Sequence, residues 1–273
     1  MLDVGKTIRL NRILRGPGHG SLVVAFDHAL VLGPIRGTEN PHEQIRQFAD
    51  ASVDGILLNL GLLRHCSESL GPGKTPGIIA RIDWTTVWNS LSEGTGGLLR
   101  SCMLARPEEA LRQGADAVLT YMVVGTGDAD FEAKEVERNA RVARECEQIG
   151  IPLIVETLAR GKGVDNPGDP KWLKLHTRMA AELGADVIKT DYAGNAATMR
   201  SVVEECPIPI LVLGGSQNTA ALDVVRGVVA AGAAGVFFGR NVFQADNMLE
   251  FLREARAALD HVDARVLTQS CPK

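Results

Sequence analysis

The sequence lacks the features that mark several large classes of protein. Its five cysteines are odd in number, widely scattered and without a CxxC pair, which argues against a disulfide framework or a zinc ribbon. No apolar run approaches the length of about 18 residues that a membrane span needs, and the charged N-terminus has no signal-peptide core behind it. No basic tract stands out against a net charge of −4. We therefore expect a soluble cytoplasmic protein with neither a membrane nor a nucleic-acid partner.

The sequence does contain short β-branched runs that alternate with segments of helical periodicity, a pattern typical of parallel α/β proteins. The eight candidate strands span 22–28, 55–60, 77–82, 116–124, 152–157, 186–192, 208–214 and 235–239. Four helical segments end in the phrases RQGADAV, EQIGIPL, AELGADV and VAAGAAGV. In each phrase a glycine can take the left-handed conformation that ends a helix before the next strand begins.

A repeated helix–glycine–strand unit predicts an α/β fold, a single (β/α)8 TIM barrel, over residues 1–273. The segment 1–20 is then an N-terminal extension, and 246–273 is a final helix and tail. A doubly wound open sheet is the competing architecture, but no GxGxxG phrase follows the first strand. The segment 61–104 fits least well. We interpret it as one βα unit with a long loop that is either disordered or part of the active-site rim.

The phrase VIKTDY puts a lysine, Lys189, inside a strand that should be buried. Catalytic groups of barrels come from the C-terminal ends of the strands and the loops after them. Strand alternation places Val187, Lys189 and Asp191 on one face. Burial favours the neutral amine, which is the form that attacks a carbonyl group. The alternative is a structural lysine in a buried ion pair.

Two carboxylates also stand at strand ends. VAFDHAL ends the first strand with Asp27 and His28, where Asp27 could hold a proton or steer Lys189 and His28 could bind substrate oxygens. Otherwise Asp27 simply caps the following loop. PLIVETLARGKG ends the fifth strand with Glu156, which is either a buried proton donor or acceptor, or a rim carboxylate.

Glycine clusters end the seventh and eighth strands in LVLGGSQNT and GVFFGRNVF. Gly214, Gly215 and Ser216 would expose backbone N–H groups at the start of a helix. Gly239 would do the same one strand later, and Arg240 adds a fixed positive charge. The loops after these two strands are the recurrent phosphate site of TIM barrels, so we expect a bound phosphate here.

Together these four sites resemble the metal-independent class I aldolases of the archaeal fructose-bisphosphate aldolase group. That group includes aldolases that make amino-dideoxyheptulosonate phosphate, the thiolase for phospho-autoinducer-2, and the aldolase that joins dihydroxyacetone phosphate to aspartate semialdehyde. The resemblance covers about residues 20–245 and rests on FDH followed by GP, on IKT, on GGS and on GRN. It implies that Lys189 forms an imine, that Asp27 assists it, and that the two glycine loops bind phosphate.

The sequence departs from that group at one position of chemical importance. The sugar aldolases usually carry a tyrosine in a YPRG phrase, where this chain reads LARG with Leu158 in the tyrosine's place. Leucine cannot move a proton, so Glu156, two residues earlier on the same face, is the nearest candidate for that role. The other candidates are Tyr121, Asp27 and His28.

Two more departures concern the substrate-binding loops. The phosphate loop has Gln217 where relatives often have lysine, and the third strand carries Arg81 where a lysine is common. We expect Arg81 to lie among the residues that bind the substrate or its phosphate.

These features predict a class I aldolase, a lyase, in which Lys189 attacks a phosphorylated ketone such as dihydroxyacetone phosphate. The covalent imine serves as the electron sink, so we expect no metal and no other cofactor. Aspartate semialdehyde is the first choice of acceptor and glyceraldehyde 3-phosphate the second. Fructose-bisphosphate cleavage and a thiolase-like cleavage of a phosphorylated diketone are the enzymatic alternatives.

We also expect a homo-oligomer. The alternative from a different class is a sugar-phosphate-binding protein that has lost catalysis. Retention of Lys189 with Asp27 argues against it, because a binding protein has no need of a buried amine.

Overall fold

The computed structural model describes residues 3–16, 18–71, 75–88, 99–214 and 221–260. The strands are β1 (Ser21–Ala25), β2 (Gly55–Asn59), β3 (Gly77–Arg81), β4 (Asp83–Thr85), β5 (Ser101–Met103), β6 (Ala117–Val124), β7 (Leu153–Ala159), β8 (Val187–Thr190), β9 (Ile210–Leu213) and β10 (Gly235–Phe238). The helices are α1 (Val4–Ile13), α2 (Ala29–Leu32), α3 (Pro41–Asp50), α4 (Leu60–His65), α5 (Pro107–Arg112), α6 (Ala129–Ile149), α7 (Pro170–Leu183), α8 (Ala196–Glu205), α9 (Ala221–Ala231), α10 (Arg240–Phe243) and α11 (Met248–Asp260).

Eight parallel strands close into a barrel in the order β1, β2, β3, β6, β7, β8, β9 and β10, and β10 pairs with β1. The predicted (β/α)8 barrel is therefore confirmed, and each of the eight candidate strands overlaps a barrel strand. The glycines in the four repeated phrases, Gly114, Gly150, Gly184 and Gly232, all have positive φ. They end their helices as predicted, because an L side chain is strained in that conformation.

The barrel interior is filled by apolar side chains at alternating strand positions. They include Val23, Leu57, Ile79, Leu119, Ile154, Val187, Leu211 and Phe237. The opposite faces of the strands pack against the surrounding helices in a second, larger apolar cluster. This alternation leaves the last inward-facing positions of several strands for polar groups at the C-terminal mouth.

Helix α1 closes the other end of the barrel. Its Leu10 and Ile13 belong to the interior cluster, and Ile13 lies against Gly77 at the start of β3. Lys6 on the same helix is buried, and its Nζ lies 3.0 Å from Asp186 Oδ2 and 2.7 Å from Glu147 Oε2. The N-terminal extension therefore plugs the barrel at the end away from the polar mouth.

The segment between β3 and β6 differs from the prediction of one βα unit with a long loop. It contains a two-stranded antiparallel hairpin, β4 with β5, in which Trp84 pairs with Cys102. Strands of three residues are too short to show an alternating pattern in the sequence, so the hairpin could not be detected there. The glycine-rich stretch 93–97 lies outside the described residues.

Within the described part of the chain, none of the helices combines the length and the apolar character that a membrane crossing requires.

Candidate active site

The C-terminal ends of the barrel strands surround a cavity of about 440 Å³. Catalytic groups of TIM barrels lie at this end, and the sequence analysis placed its candidates here. The polar residues that line the cavity are Asp27, His28, Arg81, Tyr121, Glu156, Arg160, Lys189, Asp191, Arg240 and Asn241.

Lys189 lies on β8 and points into the barrel, with only 3% of its surface exposed. Its Nζ is 3.0 Å from Glu156 Oε2, and Glu156 is its register partner on β7. On the other side Nζ stands 4.4 Å from the centre of the Phe237 ring. The amine is thus held between one carboxylate and one aromatic ring, at the floor of the cavity.

Arg81, at the end of β3, contacts three carboxylates of the site. Its Nε donates to Asp27 Oδ2 at 2.6 Å, its Nη1 to Asp83 Oδ1 at 3.4 Å, and its Nη2 to Glu156 Oε2. Burial lowers the pKa of Arg81, but Tyr121 and the carboxylates around it more than reverse this effect and raise it above its ordinary value. The guanidinium therefore stays charged and aligns three carboxylates.

Asp27 and His28 stand side by side at the mouth. Burial raises the pKa of Asp27, but the positive charges of Arg81 and Lys189 outweigh it and lower the pKa to about 2. Burial lowers the pKa of His28, whose Nδ1 lies 3.5 Å from Asp27 Oδ1. Near neutral pH the site therefore holds an ionised aspartate beside a neutral imidazole.

Gly239 and Gly214 each lie against a side chain of the site. A Cβ added to Gly239 would lie 2.3 Å from His28 Cε1, and one added to Gly214 would lie 2.3 Å from Asn241 Oδ1. Glycine at these two positions therefore leaves room for the side chains of His28 and Asn241. Arg240 is exposed at the rim and forms no ion pair with another described residue.

Tyr121 and Trp88 form the opposite wall. Trp88 Nε1 donates to the Tyr121 hydroxyl at 3.0 Å, and the Arg81 guanidinium lies 3.7 Å from the centre of the Tyr121 ring. Nearby, Arg160 makes a two-point ion pair with Asp191, with Nη1 to Oδ2 at 2.8 Å and Nη2 to Oδ1 at 3.2 Å.

The model of one protein family, described as DeoC/LacD family aldolase, matches residues 21–245. This chain belongs to the DeoC/LacD family of aldolases. The match runs from the first strand of the barrel to the loop after the last, so it includes every group at the mouth. An aldolase makes or breaks carbon–carbon bonds, which places this protein among the lyases.

Relatives of this aldolase carry several different names. An uncharacterised aldolase of Saccharolobus solfataricus is 35% identical over 253 residues, which cover 89% of this chain and 90% of that protein. The 2-amino-4,5-dihydroxy-6-oxo-7-(phosphonooxy)heptanoate synthase of Streptomyces griseus is 32% identical and covers 88% and 85%. An archaeal fructose-1,6-bisphosphate aldolase, solved with its catalytic lysine covalently bound to the carbinolamine intermediate, is 29% identical with a TM-score of 0.81 over 93% of this chain and 99% of that one.

The aldolase fold brings most of the predicted site residues to one cavity. Lys189, Asp27, His28, Glu156 and Arg81 line it together, as do Gly214, Gly239 and Arg240. Gly215, Ser216 and Gln217 lie outside the described residues. Carboxylates engage the guanidinium of Arg81 on three sides, and its part in binding the substrate or its phosphate stays a prediction.

Leu158 is fully buried and is not among the described residues that line the cavity. Three residues that line the cavity were not predicted from the sequence: Trp88, Arg160 and Asp191. The sequence held a signal for Arg160, which lies in the basic loop after β7, and for Asp191, which shares a strand face with Lys189. Trp88 had no such signal, because its place depends on the hairpin.

Among the described residues, no three His, Cys, Asp or Glu side chains are grouped so that they could hold a metal ion.

Proposed function

We propose that this aldolase is of class I, and that Lys189 forms an imine with a phosphorylated ketone such as dihydroxyacetone phosphate. The observation that carries the proposal is a buried amine at the floor of the cavity, 3.0 Å from a carboxylate that can exchange protons with it. The related archaeal structure with a lysine-bound carbinolamine supports it, as does a solved structure of a Schiff-base-forming fructose-1,6-bisphosphate aldolase, which is 30% identical.

The reaction follows from the positions of the groups. Lys189 passes a proton to Glu156, and its neutral amine adds to the ketone carbon. Glu156 then returns that proton to the hydroxyl that leaves as water, so a protonated imine remains. Glu156 removes a proton from the neighbouring carbon, and the C–H electron pair becomes the enamine double bond as the imine π pair moves to nitrogen. The enamine carbon then attacks an aldehyde, and water hydrolyses the new imine to release the product and the amine.

Glu156 takes the proton-transfer role for which Leu158 is unsuited. Its Oε2 forms ion pairs with both Lys189 and Arg81. Once the imine has formed on Lys189, this carboxylate lies beside the carbon that loses its proton. Asp27, held by Arg81, assists by keeping the local charge balanced around the cationic imine. We assign Arg81 to holding these carboxylates.

The phosphate of the donor lies at the two glycine loops. Gly214 and Gly239 leave room for the side chains beside them, and Arg240, which forms no ion pair with another described residue, supplies a positive charge at the rim. Gly215 and Ser216 continue the first loop and belong to the same proposed site. His28, against Gly239, is placed to bind an oxygen of the same substrate.

Aspartate semialdehyde is the acceptor that we propose first. The product in the name of the Streptomyces griseus relative has an amino group on C2, a ketone at C6 and a phosphate on C7. Such a molecule is a three-carbon phosphoketone joined to a four-carbon amino-acid aldehyde. Glyceraldehyde 3-phosphate is the second candidate, since a relative from Thermoproteus tenax is a fructose-bisphosphate aldolase.

Borohydride trapping tests the proposal. Wild-type protein incubated with dihydroxyacetone phosphate and sodium borohydride should gain the mass of the reduced donor, and peptide mapping should locate the adduct at Lys189. Lys189→Ala should gain no mass, while Lys174→Ala, at a surface ion pair, should behave as wild type. An adduct that persists in Lys189→Ala would refute the assignment. Activity should also survive a chelator.

A further inference from the structure

An aldol addition moves protons at two separate places. One proton leaves the donor carbon next to the imine, and another reaches the oxygen of the acceptor aldehyde as the new C–C bond forms. Glu156 is bound to Lys189 and Arg81, which suits the donor side. The acceptor oxygen needs a second acid on another part of the wall.

Tyr121 has the position for that second role. It lies on β6, next to β7, and its register partner is Glu156, so the two side chains face the same cavity from neighbouring strands. Only 4% of its surface is exposed. Tyr121 therefore places a phenol on the strand next to the one that carries Leu158.

The hydrogen bonds around Tyr121 orient its proton. Trp88 Nε1 donates to the phenol oxygen at 3.0 Å, so the oxygen accepts on that side and its own hydrogen must point away from Trp88. Trp88 and Tyr121 both line the cavity, so the hydroxyl hydrogen is available to a bound aldehyde.

The surroundings also suit a group that loses its proton briefly. Burial raises the pKa of Tyr121, which keeps the phenol protonated at rest. A phenolate formed during the reaction would face the Trp88 N–H and the Arg81 guanidinium, which lies 3.7 Å from the ring centre. Both are already in place, so the developing negative charge requires no rearrangement.

The backbone of Tyr121 is fixed on both sides by buried side chains. Its N–H donates to Asp83 Oδ2 at 2.8 Å, and its carbonyl accepts from Arg138 Nη2 at 2.8 Å and from Asn139 Nδ2 at 2.9 Å. Asp83 begins the hairpin that carries Trp88 and also contacts Arg81. One network therefore sets the position of the phenol, its tryptophan partner and the guanidinium.

We propose that Tyr121 donates the proton to the acceptor aldehyde oxygen, and that Trp88 is a positioning residue that orients it. This inference rests on the proposed imine chemistry. The enamine carbon bonds to the aldehyde carbon, the C=O π pair takes the Tyr121 proton, and the nitrogen lone pair restores the cationic imine. At that point Glu156 holds the proton that the donor lost. Transfer of this proton to the Tyr121 phenolate restores the Glu156 carboxylate and the Tyr121 phenol, with no net gain or loss of protons.

Half-reactions separate the two proton transfers. Exchange of the donor C–H for deuterium, with dihydroxyacetone phosphate in D2O and no acceptor, reports imine and enamine formation alone. Aldol turnover with aspartate semialdehyde, and separately with glyceraldehyde 3-phosphate, adds the acceptor step. Tyr121→Phe should keep trapping and exchange within about twofold and lose about 10²–10⁴-fold in turnover. Trp88→Phe, which removes one hydrogen bond, should lose about tenfold in turnover with exchange unchanged.

The chain supplies a matched control, because its second tyrosine, Tyr192, packs against Gly227 outside the cavity lining. Tyr192→Phe should behave as wild type in all three assays. Normal turnover in Tyr121→Phe, or equal losses in exchange and turnover, would overturn the inference while leaving Lys189 in its role. If the wild-type protein traps no donor, both the proposed function and this inference fail.

Discussion

His176 should make the protein lose stability as the pH falls from neutral. It lies on α7 with none of its surface exposed, and neither ring nitrogen has a hydrogen-bond partner among the described residues. Burial lowers the pKa of His176 to about 3, and the positive charge of Arg160 acts in the same direction. The folded protein therefore keeps this imidazole neutral where a solvent-exposed one takes up a proton.

The size of the effect follows from proton linkage. A histidine in the unfolded chain has a pKa of about 6.5, so between that pH and about 3 the unfolded state binds one proton more than the folded state. The free energy of unfolding then falls by about 1.4 kcal/mol for each pH unit on the acid side. Over two units, from pH 6 to pH 4, His176 alone should cost about 2.7 kcal/mol.

Urea unfolding at a series of pH values isolates this contribution. Wild type and His176→Leu are compared at the same protein concentration. Both proteins share the same carboxylates, so the pH dependence that these add cancels in the difference between the two free energies of unfolding. The difference between the two free energies should change by about 1.4 kcal/mol per pH unit below pH 6. His65→Leu, which removes an exposed imidazole, should run parallel to wild type. Parallel curves for wild type and His176→Leu would show that His176 gains a partner when protonated.

Two predictions concern catalysis. Glu156→Gln keeps the shape of the side chain but removes the carboxylate beside Lys189. Exchange of the donor C–H should therefore fall by about 10²–10⁴-fold, while borohydride trapping persists. Unchanged exchange would mean that another residue is the donor-side base. Arg240→Ala should weaken binding of dihydroxyacetone phosphate by about one to two decades and leave binding of unphosphorylated dihydroxyacetone nearly unaffected. Trapping at varied ligand concentration measures both. Equal losses for the two ligands would mean that Arg240 does not bind the phosphate.

The barrel could be predicted because its signals are local. Most barrel strands are short runs rich in apolar residues, and each of four helices ends at a glycine whose positive φ the structure shows. The hairpin after β3 gave no such signal. Its three-residue strands are held by Asp83, whose carboxylate meets Arg138 and the backbone of Tyr121. These partners lie 55 and 38 positions away in sequence, so the contacts depend on the completed fold.

The sequence predicted which residues belong to the site, but not which of them contact one another. Lys189 was identifiable because a lysine inside a parallel strand is expensive to bury without a purpose. Its pairing with Glu156 follows from the register of β7 on β8, which the sequence does not specify. The sequence predicts that Arg81 lies among the residues that bind the substrate or its phosphate, and Arg81 does line the cavity. Its guanidinium contacts Asp83, two residues along the chain, and also Asp27 and Glu156, which lie 54 and 75 positions away and reach it only when the barrel closes.

That meeting of charges explains how the site could accommodate imine chemistry without rearranging. The ammonium form of Lys189 and the protonated imine both carry one positive charge on the same nitrogen. A carboxylate placed to balance the first also balances the second, and Glu156 Oε2 lies 3.0 Å from that nitrogen. Arg81 fixes the carboxylate through the same oxygen, so Glu156 cannot follow the nitrogen if it moves. An electrostatic environment that is already in place contributes more to catalysis than one that must be assembled during the reaction.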